Sequence, residues 1–497
     1  MAQPATVHDL LVVGGGINGA GIARDAAGRG LATLLVEADD LASGTSSAST
    51  KLIHGGLRYL EYYEFALVRK ALVEREVLLR LAPHIIWPLR FILPHDASQR
   101  PAWMLRAGLF LYDHLAGRQR LGASRALRLD RDPTGALIKP QFKRAFDYAD
   151  CWVDDARLVV LNAMDARARG ATVLTRTELL HAAPRDGAWE VRLRDKAEGR
   201  EWTARARFLV NAGGPWAGGL LARLGRPDAR DPLRLVKGSH IIVPRLAAHE
   251  QAYILQNTDR RILFIIPYEG RFSLIGTTEE AFDGDPRSVA ISDDEKVYLV
   301  TSVNRYLRVP LGLSDIVWSY SGVRPLMDGE GTNATRASRD YKLMLERVAG
   351  APMLSVLGGK ITTYREMADK AVDGIVRALG CHGQRWTRDA PLPGGDMEGA
   401  DFNRFFERQR TRYPWLGEAT CRRLARAYGT SMDKLLEGAR ALADLGPAIA
   451  GDLRAAEVAY LQSEEFARTP EDILWRRSKL GLHLPADAPA KLASYMA

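Results

Sequence analysis

The sequence predicts an α/β protein with a discontinuous Rossmann-like domain, an inserted antiparallel β domain and an all-α C-terminal domain. Three observations predict this fold. A strand, a glycine-rich turn and a helix follow one another near the start of the chain, and two later segments repeat that order. Residues 231–320 contain alternating strand patterns, at 239–243, 261–267 and 271–276. Residues from about 398 onward are mostly helical.

The first of these segments is a βαβ unit suited to a dinucleotide. The apolar run Leu10–Val13 meets Gly14-x-Gly16-x-x-Gly19, and a helix of small residues leads to a second apolar strand that ends on Glu37. Gly14 permits the tight turn, Gly16 lets a pyrophosphate approach the backbone, and Gly19 lets helix and strand pack closely. The helix N-terminus offers N–H groups to phosphate, and Glu37 stands where a carboxylate takes the ribose hydroxyls.

The alternative for this unit is a glycine-rich turn that binds no ligand. Strand, glycines, helix and terminal acid together favour a cofactor, but they do not distinguish FAD from NAD. Gly213-Gly214 and Gly358-Gly359 likewise stand between an apolar run and a predicted helix. Three such turns, far apart in sequence, imply a cofactor domain interrupted by insertions. The proline- and glycine-rich loop 391–395 is the expected boundary of the helical region.

Composition narrows the class of protein. The 497 residues are 46% hydrophobic and 26% charged, as in soluble enzymes of two or three domains. No apolar run is long enough to span a membrane, and the first strand starts too early to leave room for a signal peptide. Three isolated cysteines have neither metal-ligand nor redox spacing and suit a reducing compartment. The net charge of +9 is compatible with anionic lipid or a phosphorylated substrate, and no nucleic-acid motif accompanies it.

Five further motifs occur along the chain. They are Gly44-Thr-Ser-Ser-Ala-Ser-Thr-Lys-Leu-Ile-His-Gly-Gly-Leu-Arg-Tyr-Leu60, Cys151-Trp-Val-Asp-Asp155, Lys237-Gly-Ser-His240, Tyr320-Ser-Gly-Val-Arg-Pro325 and Gly358-Gly-Lys-Ile-Thr-Thr-Tyr-Arg365. Together they resemble the FAD-dependent, quinone-linked glycerol-3-phosphate dehydrogenases over nearly the whole chain. The resemblance implies non-covalent FAD, oxidation of sn-glycerol 3-phosphate to dihydroxyacetone phosphate, and electron transfer to a membrane quinone.

The resemblance also implies a domain organisation. An FAD-binding domain of the glutathione-reductase type is expected at residues 1–85, 149–230 and 320–390, a substrate (cap) domain at 86–148 and 231–319, and a helical C-terminal domain at 391–497. The expected location is cytoplasmic, peripherally on the inner face of the cell membrane. Anionic lipid is a further expected partner, nucleic acid is not, and a homodimer is one option for the oligomeric state.

Four cations are candidates for holding the substrate phosphate, because a dianion is costly to desolvate without paired charges. They are Arg58, Arg324, Arg339 and Lys360, and all but Arg339 lie in glycine-rich turns that abut the cofactor in this fold. For each, the alternative is a surface or helix-capping cation. Tyr59 either hydrogen-bonds the substrate or packs in the core.

His240 and His54 are the candidates for the base that takes the hydroxyl proton, since a neutral imidazole accepts a proton near neutral pH. His240 is preferred, although a histidine in a strand is often a core residue. Arginine stays protonated, so Arg324 is expected to stabilise the developing alkoxide instead.

The expected cofactor contacts come from the three glycine turns and from the motif after the second strand. Serines of that motif are expected to contact flavin and pyrophosphate, with a polar loop as the alternative. Threonines of the third turn are expected to bond the ribityl chain or the isoalloxazine carbonyls. The full set is Gly14, Gly16, Ile17, Asn18, Gly19, Glu37, Thr45, Ser46, Ser47, Ser49, Lys51, Gly213, Gly214, Gly359, Lys360, Ile361, Thr362 and Thr363.

The segment Trp103–Tyr112 is apolar and aromatic and is flanked by arginines at positions 100, 106, 118 and 120. This pattern predicts an element that lies in the membrane interface, with apolar side chains among acyl chains and arginines on anionic headgroups. An ordinary buried helix is the alternative.

Two rival functions remain open at this point. One is an amine or amino-acid oxidase on the same scaffold, in which Arg324 holds a carboxylate and oxygen accepts the electrons. The other is a non-catalytic flavin-binding protein. The glycine turn that carries Lys360 favours a phosphate, and the retention of every cationic turn favours an enzyme.

Overall fold

The structure is a computed structural model that describes residues 7–96, 99–117, 120–224, 233–257, 259, 261–327 and 340–496. Two large β-sheets and a helical region make up this part of the chain. The first sheet has eight strands. Six of them, in sheet order, are Tyr341–Val348, Ala351–Gly358, Glu201–Asn211, Val7–Val13, Thr33–Val36 and Thr172–Leu174, and the hairpin Thr177–Arg185 with Ala188–Asp195 extends from Glu201–Asn211.

The centre of the first sheet is parallel and buried on both faces. On one face, Leu10 and Val12 belong to a core shared with the helices Ile17–Gly28 and Tyr364–Leu379. On the other, Leu11 and Val13 belong to a core built with the strands of the hairpin. Burial on both faces explains why the run from Leu10 to Val13 is continuously apolar rather than alternating. The helices Asp155–Ala168 and Ala217–Arg223 complete this unit.

The second sheet has ten strands and is mostly antiparallel, as predicted. Eight of them, in sheet order, are Glu280–Ala281, Leu233–Pro244, Phe272–Gly276, Ile262–Tyr268, Ala252–Gln256, Ile86–His95, Arg144–Val153 and Leu52–Ile53. Trp318–Met327 pairs with Leu233–Pro244, and Arg125–Arg128 pairs with Arg144–Val153. The helices Phe65–Leu81, Ala102–His114 and Asp293–Asn304 accompany this sheet.

The C-terminal region is helical and has its own apolar core. Its helices are Phe402–Arg412, Glu418–Tyr428, Met432–Leu435, Ala455–Glu464, the π-helix Asp472–Arg477 and Ala488–Met496, with one small hairpin of Ala448–Ala450 and Leu453–Arg454. Thr469 caps the π-helix segment, because its hydroxyl accepts the N–H of Asp472 at 3.3 Å. The predicted fold class is confirmed.

The sheets divide the chain differently from the expected domain boundaries in three places. Leu52–Ile53, the end of Arg144–Val153 and the whole of Trp318–Met327 belong to the second sheet. Trp318–Met327 pairs with Leu233–Pro244 over ten positions, so the second unit continues past the expected end at residue 319. The motif at 320–325 still reaches the cofactor side, because Gly322 and Arg324 line the cavity described next.

Candidate active site and cofactor cavity

A cavity of about 700 Å³ is lined by both sheets and all three glycine turns. Its wall contains Glu37 and Asp39, which follow the strand Thr33–Val36, and Arg58, Arg324 and Lys360 from three other segments. A cavity of this size suits a dinucleotide with a small substrate beside it.

The first glycine turn has the geometry expected of a pyrophosphate site. Gly14 has φ +115°, and a Cβ there would lie 2.5 Å from the carbonyl oxygen of Ala212. A Cβ at Gly19 would overlap the carbonyl of Gly14, so helix and strand pack as predicted. Gly16 lines the cavity and begins the helix without a side-chain cap, which leaves its backbone facing the space for a ligand.

Other contacts hold this turn in place. Glu37 accepts the N–H of Gly15 at 2.6 Å and lies on the cavity wall, and burial raises the pKa of its carboxyl. The hydroxyl of Ser46 accepts the N–H of Ile17 at 3.0 Å. The amide of Asn18 donates to the carbonyl of Gly358 at 3.3 Å and so joins the first turn to the third. These residues fit a dinucleotide cofactor.

Most of the expected cofactor residues line the cavity. They are Gly14, Gly16, Ile17, Asn18, Glu37, Thr45, Ser46, Ser49, Gly213, Gly214, Gly359, Lys360, Ile361 and Thr362. Gly19, Ser47 and Thr363 do not line the cavity.

Lys51 is the fourth expected residue that the cavity wall does not include. Its ammonium is buried and donates to Asp155 at 2.8 Å and to the carbonyl of Ser47 at 3.0 Å, and it does not line the cavity. Burial lowers the pKa of this ammonium, and Asp155 partly offsets the effect. Lys51 therefore positions the serine motif from behind.

Three of the four expected phosphate-binding cations line the cavity. Arg58 and Lys360 come from separate loops, and Arg324 comes from the strand Trp318–Met327. Lys360 Nζ lies 3.7 Å from the centre of the Tyr59 ring, and Arg324 donates to the hydroxyl of Thr277 at 3.0 Å. Arg339 lies outside the described residues.

Arg261 also lines this cavity and was missed in the sequence. It lies just before the strand Ile262–Tyr268, where no motif marks it. Apolar and aromatic wall residues, among them Phe91, Tyr148 and Phe264, were missed for the same reason. They are recognisable only once the strands are paired.

The two histidines differ from expectation. His54 lines the cavity, whereas His240 is fully buried and does not. His240 stacks on Tyr320 with ring centres 4.7 Å apart, and its Nε2 lies 3.0 Å from the hydroxyl of Thr50, which does line the cavity. Burial, then Arg324 and Lys51, hold the pKa of His240 well below its usual range. His240 is therefore not on the cavity wall in this arrangement and meets it only through Thr50, so its role as the base stays a prediction.

Comparison with known proteins identifies the family. Residues 9–365 match the family model "FAD dependent oxidoreductase", and residues 385–496 match "C-terminal domain of alpha-glycerophosphate oxidase". A glycerol-3-phosphate dehydrogenase of Pseudomonas aeruginosa is 52% identical over 501 residues, which cover 100% of this chain and 96% of that protein. The chain belongs to the FAD-dependent glycerol-3-phosphate dehydrogenase family.

Two further relatives bear on cofactor and substrate. The crystal structure of the glycerol-3-phosphate dehydrogenase from Bacillus halodurans, complexed with FAD, matches with a TM-score of 0.75 and 30% identity over 96% of this chain and 86% of that one. FAD is the cofactor of this family member. D-erythritol 1-phosphate dehydrogenase of Brucella abortus is 51% identical over 97% of this chain and 96% of that protein.

An exposed apolar surface adjoins the cavity of this family member, because Tyr62 belongs to both. On the helix Ala102–His114, Trp103 is 70% exposed and Phe110 58% exposed, and Met104 and Leu111 are exposed on the same side. The helix packs on the turn Leu57–Tyr62, which is followed by the exposed rings of Tyr63 and Phe65. We call this surface the apolar face; its exposed members are Tyr62, Tyr63, Phe65, Trp103, Met104, Phe110 and Leu111.

The burial of this helix bears on one of the two interpretations of the segment, the ordinary buried helix. Only Leu109, Tyr112 and Asp113 of the helix are buried, so it is not an ordinary buried helix. Arg106 on this helix and Arg100 just before it are exposed, Arg120 is exposed and bonds the carbonyls of Gly399 and Ala400, and Arg118 lies outside the described residues. In the part of the chain that the structure describes, we find no helix with the length and apolarity to span a membrane.

Proposed function

We propose that this protein oxidises sn-glycerol 3-phosphate to dihydroxyacetone phosphate with FAD and passes the electrons to a membrane quinone. The observation that carries the proposal is that Arg58, Arg324 and Lys360 line the same cavity as the glycine turns that suit a dinucleotide. Three cations contributed by separate elements match a phosphate dianion, which needs paired charges when it leaves water.

The residues around these cations have separate roles in the proposed oxidation of the alcohol. Bound FAD supplies the acceptor for the hydride that leaves C2 of the alcohol. His54 is the proposed base for the hydroxyl proton, because it is the one of the two candidate histidines on the cavity wall. Arg324 is proposed to stabilise the negative charge that develops on the alcohol oxygen. Lys360 and Arg58 hold the phosphate, and Tyr59 orders Lys360 through its ring.

Anaerobic addition of sn-glycerol 3-phosphate to the FAD-loaded protein tests the reaction. The flavin absorbance should bleach, and an equal addition of glycerol should leave it unchanged, because glycerol has no phosphate for the three cations to bind. A flavin that is not bleached by the phosphate ester would reject the proposal. Turnover with a dye or quinone acceptor but not with oxygen alone would separate this enzyme from an amine or amino-acid oxidase.

D-erythritol 1-phosphate is a second candidate substrate. The relative that bears its name is as similar to this chain as the glycerol-3-phosphate dehydrogenases are, at 51% against 52% identity. Both compounds are phosphate monoesters of small polyols, and the same cations would bind either. The ratio of kcat/KM for the two esters, measured with one acceptor, decides between them.

The proposed quinone acceptor requires contact with a membrane. We propose that the apolar face inserts into the interfacial region of the inner leaflet of the cell membrane while exposed arginines beside it contact anionic lipid. Two observations support this: the apolar face joins two neighbouring elements, and one of its members, Tyr62, also lines the cavity. A cytoplasmic, peripheral location follows from this proposal, and the same surface is the alternative contact for a homodimer.

A further inference from the structure

The buried carboxylate of Asp40 connects the C-terminal region to a segment that lines the cavity beside the first glycine turn. Asp40 is fully buried, yet residues 37–39 before it and residues 43–44 after it line the cavity. Its carboxylate accepts two hydrogen bonds from Arg477, at 2.6 and 2.7 Å, and one from Arg476, at 2.6 Å. Both arginines belong to the π-helix of the C-terminal region, so their charges pair with a carboxylate that lies outside that region.

Residues 37–44, which we call the nucleotide segment, wrap the first glycine turn. Glu37 accepts the N–H of Gly15 at one end of the segment, and the N–H of Ala42 donates to the carbonyl of Gly15 at 3.1 Å near the other. Both backbone groups of Gly15 are therefore bonded to the nucleotide segment. A shift of Asp40, which lies between these two anchors, would displace the turn at which a pyrophosphate meets the backbone.

The same π-helix makes a second connection to the nucleotide segment, through Asp472 and Arg176. The carboxylate of Asp472 accepts hydrogen bonds from the guanidinium of Arg176 at 2.8 and 3.0 Å, and the backbone N–H of Arg176 donates to the carbonyl of Asp39 at 2.9 Å. Burial acts to raise the pKa of Asp472, but the N–H of Arg468 and the cations Arg176 and Arg476 hold it at about 2. The carboxylate of Asp472 is therefore charged, and its pair with Arg176 intact, throughout the physiological pH range.

We propose that Arg476 and Arg477 are positioning residues of the cofactor site, which hold the nucleotide segment in the shape that binds the adenosine half of FAD by fixing Asp40. The C-terminal region is then part of the cofactor site, although none of its described residues lines the cavity. This inference goes beyond the proposed reaction, because it holds whichever polyol phosphate the enzyme oxidises.

Equilibrium titration of the FAD-free, full-length protein with FAD, followed by flavin fluorescence, tests the proposal. Arg477→Met should raise the Kd for FAD by at least about tenfold, and Arg477→Lys, which keeps the charge, should raise it less. Asp40→Asn keeps the shape of the side chain and should also weaken binding. The affinity for ADP, measured by competition with FAD, should fall in parallel, because ADP occupies only the adenosine half of the site.

Arg423→Met is the matched control. Arg423 forms a partly buried pair with Glu457 at 2.6 and 2.8 Å, but this pair lies within the C-terminal region and does not reach the nucleotide segment. Its loss should lower Tm while changing the Kd for FAD by less than about twofold. A Kd that stays at the wild-type value in both Asp40→Asn and Arg477→Lys while Tm falls would overturn the proposal and leave the network purely structural.

These two conservative variants also decide the question if Arg477→Met fails to fold. The reaction is measured separately, as the loss of absorbance of the bound flavin when glycerol 3-phosphate is added. In the variants, weak FAD binding with normal bleaching of the bound flavin supports the positioning role. In the unmodified protein, FAD binding without bleaching would contradict only the proposed reaction.

Discussion

The phenolic oxygen of Tyr112 lies 2.8 Å from both carboxylate oxygens of Asp150. Asp150 lines the cavity and also pairs with Arg75 at 2.6 Å, and the N–H of Gly55 donates to the Tyr112 oxygen at 2.9 Å. This buried group thus holds the start of the segment that carries His54, Arg58 and Tyr59. Burial keeps the pKa of Tyr112 well above its usual range, so the phenol remains a neutral donor.

Tyr112→Phe tests this support. We expect it to lower the free energy of unfolding by about 1.5–3 kcal/mol, because a buried carboxylate loses one of its donors. We also expect a higher KM for the phosphate ester, since the cationic segment is less well fixed. Denaturant unfolding and steady-state kinetics measure the two effects.

Tyr253→Phe is the control for Tyr112→Phe. Tyr253 is equally buried and donates to the carbonyl of Thr134 at 2.5 Å, but Thr134 does not line the cavity, whereas Asp150, the partner of Tyr112, does. Its loss should reduce stability and leave KM unchanged. If both variants alter KM alike, the effect of Tyr112 is a general loss of stability rather than support of the site.

Arg324→Ala and Lys360→Ala should each weaken substrate use far more than folding. Losing a charge-assisted phosphate contact is expected to cost about 1.5–3 kcal/mol of transition-state binding, seen as a fall in kcat/KM of roughly 10- to 150-fold. The exposed Arg200 serves as the control for Arg324→Ala, and Arg200→Ala should have wild-type kinetics. Unchanged kinetic constants in either site variant would remove that residue from the proposed phosphate site.

Gly16→Val should abolish flavin retention. The β-branched side chain would stand in the cavity at the turn where the pyrophosphate must meet the backbone, with its Cβ only 3.2 Å from the hydroxyl of Ser46. The variant should purify colourless by absorbance. Gly374→Val makes the same change in the helix Tyr364–Leu379, where a Cβ has open space, and should stay yellow. A yellow Gly16→Val protein would show that this turn does not hold the cofactor.

The sequence alone predicts the fold and the cofactor side of the site because both depend on local signals. The glycines at 14, 16 and 19 lie within one turn, and their role follows from backbone geometry. The contact of Asp40 with Arg477 joins residues 437 positions apart and has no local signature. The order of strands that places Arg261 on the cavity wall has no local signature either, and the same is true of the burial of His240. Such features depend on strand pairing and packing between units, which no motif records.

Replacement of Phe110 and Leu111 by serine tests the membrane proposal. These side chains are exposed on the apolar face, so the change should leave folding and dye-linked turnover near normal. Vesicle binding and quinone-linked turnover should fall together, because apolar insertion is lost. Binding of the unmodified protein to anionic vesicles should weaken in high salt without vanishing, since salt screens the headgroup attraction of roughly 1 kcal/mol per cation but not the apolar contribution.

The control for the membrane variant is serine at Leu313 and Val317, which are also exposed but lie outside the apolar face. That variant should bind vesicles and reduce quinone like the unmodified protein. If dye-linked and quinone-linked turnover fall equally in the Phe110 and Leu111 variant, the helix supports the active site through Tyr112 and the membrane proposal fails for it. If neither activity falls, another surface meets the membrane. A change in oligomeric state with both activities intact would instead assign the apolar face to a second copy of the chain.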